Sequence, residues 1–100
     1  MHIYAYLTPL CQHIYAYIGI HMITGRQSKA ARALIGKSQS ELSRLASVGT
    51  RTVMDFENGV RTPLPATVSA IQAALEAAGI EFIPANGGGA GVRLKSEPAG

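Results

Sequence analysis

Cysteine is nearly missing from this chain. Cys11 is the single one, so no internal disulfide and no cysteine-based metal cluster can form. Carboxylates are also few, with six Asp and Glu in all, and no nucleophile–base–carboxylate set stands out among them. Catalytic residues are therefore not expected. Residues 1–25 carry no charge apart from histidines; every charged side chain lies from Arg26 onward. Charged residues make up 15% of the chain against 47% apolar ones, which excludes a disordered, self-repelling polypeptide. No positively charged n-region or small-residue cleavage site marks a signal peptide. His2, His13 and His21 match no common metal-ligand spacing, and Cys11 with His13 is one close pair only, so neither metal nor cofactor is expected.

What is present fits one small domain of 100 residues with a modest core, which an oligomer interface would supplement. The formal charge is +3, compatible with nucleic acid without demonstrating it. His2-Ile3-Tyr4-Ala5-Tyr6 recurs at residues 13–17, and two copies are too few for a solenoid. Its β-branched and aromatic residues favour strand. The uncharged run from Ile3 to Ile23 is long enough to span a membrane, but Pro9, Gln12, His13, His21 and four tyrosines argue against one. Residues 1–21 therefore read as an apolar extension, either an upstream addition without regular structure or a strand that pairs with the C-terminal hairpin or with a second subunit.

Helical patterning starts at Thr24, which can cap a helix over Gly25 to Ile35 with Ala31, Leu34 and Ile35 as its apolar stripe and Gly36 as its stop. Ser38 and Glu41 have the spacing of a capping box. Leu42, Leu45 and Ala46 then share a face. Ala46 to Gly49 breaks the period, and a second short helix follows from about Thr50 with Val53 and Phe56 inward. Asn58-Gly59 stops it. Two helices of about two turns joined by three or four residues describe a helix-turn-helix. Beyond the rigid loop Val60 to Pro65, a helix is expected over about Ala66 to Ala78 through Val68, Ile71 and Leu75. Strands are expected over Ile80 to Pro84 and Gly91 to Lys95, joined by a turn at Asn86 to Ala90. Gly87-Gly-Gly-Ala-Gly91 lacks the following helix and the lysine of a P-loop, so it reads as a hairpin turn.

Gln39 to Gly59, closed by Phe56-Glu57-Asn58-Gly59, resembles the DNA-binding domain of Cro/phage-repressor-type (Xre family) helix-turn-helix regulators. Ala30 to Gln39 is similar to that family's first helix and its connection. Arg61 to Ala66 and Leu75 to Ile83 resemble small bacterial members. The resemblance covers about Met22 to Lys95 and places the usual start of family members near Met22. It implies a mainly α fold: a lambda-repressor-like bundle of about four helices followed by a C-terminal β-hairpin. The expected organisation is an extension over 1–21, a DNA-binding domain over 22–79, a dimerising hairpin over 80–95 and a tail over 96–100.

In a helix-turn-helix the second helix enters the major groove, which leaves Thr50, Arg51, Thr52, Met54 and Asp55 exposed because Val53 and Phe56 face inward. The resemblance places Thr50, Arg51 and Asp55 at base-reading positions. Arg51 leads, since a guanidinium bonds both O6 and N7 of guanine. Asp55 either accepts from cytosine or orients Arg51 four residues back. Phosphate contacts are expected from Gln39, Asn58, Gly59 and Arg61, with Lys37 and Arg44 as further candidates. The resemblance implies a structural ion pair between Arg32 and Glu57. It also exposes two departures: Ser47 where glycine is usual, costing about 1 kcal/mol if φ is positive, and Ser43 where alanine is common.

The expected function is a sequence-specific regulator of transcription, cytoplasmic and not an enzyme, acting as a homodimeric repressor or autoregulator on a palindromic operator in double-stranded DNA. Ile80, Phe82, Ile83, Val92 and Leu94 are expected at the dimer interface. The alternative is a protein-interaction module, an antitoxin or antiactivator, in which DNA contact is secondary.

Overall fold

The computed structural model describes residues 22–96. The extension over 1–21, with its repeat, Cys11 and the three histidines, lies outside the described residues, as does the tail beyond Ser96. Among the described residues the chain order is α1 (Gly25–Ile35), α2 (Gln39–Ala46), α3 (Thr50–Glu57), α4 (Pro65–Ala77), β1 (Ile80–Ile83) and β2 (Gly91–Leu94).

Each helix start has a local cause. Thr24 caps α1 in a full capping box with Gln27, and Ser38 caps α2 in another with Glu41. Pro65 occupies the first position of α4, where a missing N–H costs nothing. That residue starts the helix one position earlier than its apolar spacing suggests. Helix stops follow the same logic. Gly36 (φ 66°) ends α1, and Gly59 (φ 73°) follows α3. Ser47 ends α2 at φ 57°, the one non-glycine residue at positive φ among those described.

The core gathers Ile23, Ala31, Leu42, Val53, Phe56, Val68, Ile71, Leu75 and Ile80 from every helix and the first strand. Val53 and Phe56 point into it and Glu57 is buried beside them, which leaves Arg51 exposed and Thr50, Thr52, Met54 and Asp55, expected to be exposed, half-buried. The hairpin is antiparallel, with Ile80 opposite Leu94, Phe82 opposite Val92 and Ile83 opposite Gly91. Phe82, Val92 and Leu94 pack on the core, so Glu81, Ile83 and Arg93 fall on the opposite face. Gln27 bonds the Gly91 carbonyl at 2.8 Å and ties α1 to β2.

Three expectations are corrected. Leu34 is 44% exposed and Leu45 55%, so neither belongs to the core stripe of its helix. The neighbouring elements cover one flank of α1 and of α2, and these leucines lie off it. Ile80 is fully buried in the domain's own core and is unavailable to a dimer interface.

α1 and α3 meet by backbone contact. A Cβ on Gly25 would overlap the carbonyl oxygen of Phe56. The obstacle is main chain and cannot rotate aside. Gly25→Ala is expected to destabilise the domain by about 3 kcal/mol, at the severe end of overpacking, read as a lowered urea midpoint with an unchanged slope.

Candidate nucleic-acid interface

The turn between α2 and α3 decides which side chains stand outward. Val48 N–H bonds the Ser43 carbonyl at 3.0 Å and Ser47 N–H the Arg44 carbonyl at 3.3 Å, while Ser47 turns the chain through the left-handed region. Gly49 then caps α3 with extended backbone and no side-chain bond. At the other end, Asp55 carbonyl accepts from Val60 N–H at 2.9 Å and Arg61 N–H at 3.4 Å, which folds the following loop back on α3.

Arg51 projects from the first turn of α3 with its side chain 82% exposed. Its Nε lies 3.4 Å from Asp55 Oδ1, one helical turn on. The Asp55 side chain is 20% exposed. Thr50, Thr52 and Met54 are half-buried beside it. Thr50 is not free: its hydroxyl lies 2.9 Å from Ser43 Oγ on α2. A recess of about 420 Å³ brings Arg51, Thr52 and Asp55 together with Arg61 and Leu64 of the following loop. Arg44, Asn58, Gly59 and Arg61 are exposed, and neither Arg44 nor Arg61 has an ion-pair partner among the described residues. Lys37 sits 3.9 Å from Glu41, a loose surface pair.

Behind the ridge lies a polar knot. Glu57 closes α3 with its carboxylate fully buried. Arg32 of α1 donates through Nη2 to Oε1 at 2.6 Å and through Nε to Oε2 at 2.9 Å, a two-point grip. Ser28 Oγ donates to Oε2 at 2.7 Å. Gln39, the first residue of α2, donates through Nε2 to Oε1 at 3.1 Å. Sequence reasoning missed Ser28, because a lone serine in a polar helix looks like a surface residue. The role of the Ser43 hydroxyl is not readable from sequence either, since its partner Thr50 becomes a neighbour only once the turn is formed.

Residues 29–81, more than half the chain, match the helix-turn-helix family. The chain belongs to the Cro/C1-type helix-turn-helix family of DNA-binding regulators. Comparison with curated proteins gives no significant match. No helix among the described residues is long and apolar enough to cross a membrane.

In this helix-turn-helix protein α2 and α3 are the two helices of the motif, and the Glu57 knot binds both to α1. Burial by itself pushes the Glu57 carboxyl up. Hydrogen bonds from Arg32, Ser28 and Gln39 together outweigh that and hold it below the ordinary glutamate value. The sign for stability follows. A carboxyl depressed in the folded state binds fewer protons there than in the unfolded chain, so its contribution is present above the unfolded value and is lost as pH falls through the folded one. Stability is expected to drop below about pH 4, near the ordinary glutamate value. Glu57→Gln, measured by denaturant unfolding between neutral and acid pH, is expected to lower stability at pH 7 and to flatten part of that acid loss. Exposed Glu41 and Glu81, also held low by their own partners, account for a remainder.

Proposed function

We propose that this protein is a sequence-specific regulator that reads duplex DNA with α3, binds a palindromic operator as a homodimer and represses the promoter it occupies, its own included. The observation that carries this reading is Arg51, exposed on the first turn of α3 and braced by Asp55. A guanidinium biased in that way is placed to meet guanine O6 and N7 at a reduced ordering cost. Asp55 acts as the brace. Thr50, Thr52 and Met54 complete the surface that enters the groove.

Phosphate contacts flank it. The amide nitrogen of Gln39 has two hydrogens and spends one on Glu57, so the other and the backbone N–H at the start of α2 remain for a phosphate. Arg61 and Asn58 serve the other side of the motif, with Lys37 and Arg44 at the margin; Gly59, expected there too, spends its N–H on the Phe56 carbonyl at 3.2 Å. One such helix reads few base pairs, and two copies on half-sites about 34 Å apart supply the rest. The hairpin is the pairing element: its sheet edges offer unpaired backbone groups, and Ile83 stands on the face turned from the core. Phe82, Val92 and Leu94 border that edge; Ile80 takes no part.

A protein-interaction module is the second reading. It is favoured by Val60 and Leu64, apolar side chains 66% and 75% exposed in the loop after α3. A gel shift on the protein's upstream DNA separates the two. Arg51→Ala is expected to weaken specific binding by about 1–3 kcal/mol while sparing the fold. Absence of binding by the wild type even at low salt would favour the protein partner instead.

The dimer is tested by sedimentation. Ile83→Lys is expected to give a folded monomer with an unchanged helical spectrum, and a variant that still sediments as a dimer would move the interface elsewhere.

A further inference from the structure

The Ser43–Thr50 contact fixes more than a distance. Ser43 is buried in α2, and its hydroxyl lies 2.8 Å from the carbonyl oxygen of Ser40. A carbonyl only accepts, so Ser43 spends its single proton there. Its oxygen also lies 2.9 Å from Thr50 Oγ1, and with its own proton committed it can only accept. The proton in that bond is therefore Thr50's. The chain of donors runs in one direction, from the first residue of α3 through Ser43 to the backbone of α2.

We infer that Ser43 is a positioning residue for DNA reading: it takes the only donor of the Thr50 side chain, turns the Thr50 hydroxyl toward α2, and leaves the γ-methyl as the side-chain group Thr50 presents to the groove. This rests on the reading of α3 as the DNA-contacting helix. The Thr50 hydroxyl so held cannot donate to guanine O6, to a purine N7 or to a phosphate. Because its oxygen is turned toward α2, the side chain is left to offer a base an apolar contact, and the major-groove partner for that is the 5-methyl group of thymine. A threonine side chain has three staggered settings and would otherwise choose among them on the DNA. Ser43 makes the choice beforehand. The serine that stands in place of alanine in α2 thus acts on specificity, although it is too buried to reach a base itself.

The test selects bound duplexes from a random-sequence pool with the full chain and three variants, Ser43→Ala, Thr50→Val and the two combined, after thermal melting shows each one folded. Wild type is expected to enrich thymine at one position per half-site by on the order of fourfold, the worth of burying about one methyl group. Thr50→Val keeps a methyl and needs no partner, so it retains that preference. Ser43→Ala frees the hydroxyl and loses it at that position alone. The combined variant regains it, which a merely structural role for Ser43 does not produce. Ser43→Ala selecting the same bases as wild type, or weakening every position equally, overturns the inference. So does adenine or cytosine enrichment that Thr50→Val abolishes, which would make the hydroxyl oxygen the reading group. Should Ser43→Ala fail to fold, loss of the thymine preference in Thr50→Val alone overturns it, and retention supports it. If wild type enriches no sequence, the DNA-reading proposal itself has failed, a pattern distinct from all of these.

Discussion

Glu57 keeps a carboxylate out of water, and two other helices turn donors toward it. Removing a charged pair from solvent costs several kcal/mol per ion before any contact is made. Here the guanidinium of Arg32 grips both oxygens, and Ser28 and Gln39 fill the remaining acceptor sites. No buried side-chain polar atom among the described residues is left without a partner. The knot is therefore specific as well as tight, because a rotated or shifted α3 would strand a charge in the interior. Apolar packing through Val53 and Phe56 holds α3 against the bundle, but apolar contacts tolerate sliding. The ion pair removes that freedom. The exposed flank of α3 inherits its orientation from a bond network on its other side.

Individual polar contacts tie the candidate surface to the scaffold. Gln39 stands at the start of α2 with one amide hydrogen given to Glu57, so its side chain is aimed before any ligand arrives. Thr50 stands at the start of α3 with its hydroxyl given to α2. Arg51 is paired one turn along its own helix. Gln39 and Thr50 are thus partly committed inward and Arg51 along its own helix, which lowers the ordering cost of meeting a partner. It also limits what each can offer.

Much of the fold was legible from local chemistry. Thr24, Ser38, Gly36 and Asn58-Gly59 mark helix ends by their capping and backbone preferences, and the Val53–Phe56 spacing fixes the inward seam of α3. Leu34 and Leu45 misled because helical spacing reports a shared face without saying how far a neighbour covers it. Ile80 misled for a related reason. Alternation assigns a strand two faces, but which residues reach the core depends on how the hairpin leans on α1 and α4. On the surface, the spacing of Arg51 and Asp55 foretold a contact, since four residues is one helical turn. Ser28 and Ser43 were opaque. Each matters through a partner on another helix, and nothing local to a serine announces that.

Gln27 has a consequence of another kind. Its amide oxygen accepts from Thr24 N–H at 2.9 Å while its nitrogen donates to Gly91 at 2.8 Å. One side chain thus stitches the frayable first turn of α1 to the second strand, elements more than sixty residues apart in the chain. Loosening either end costs a bond to a side chain that the other end also holds. The start of the bundle and the hairpin that closes it are consequently expected to open together in hydrogen exchange, so that strain in the hairpin bears on the helix that carries Ser28 and Arg32.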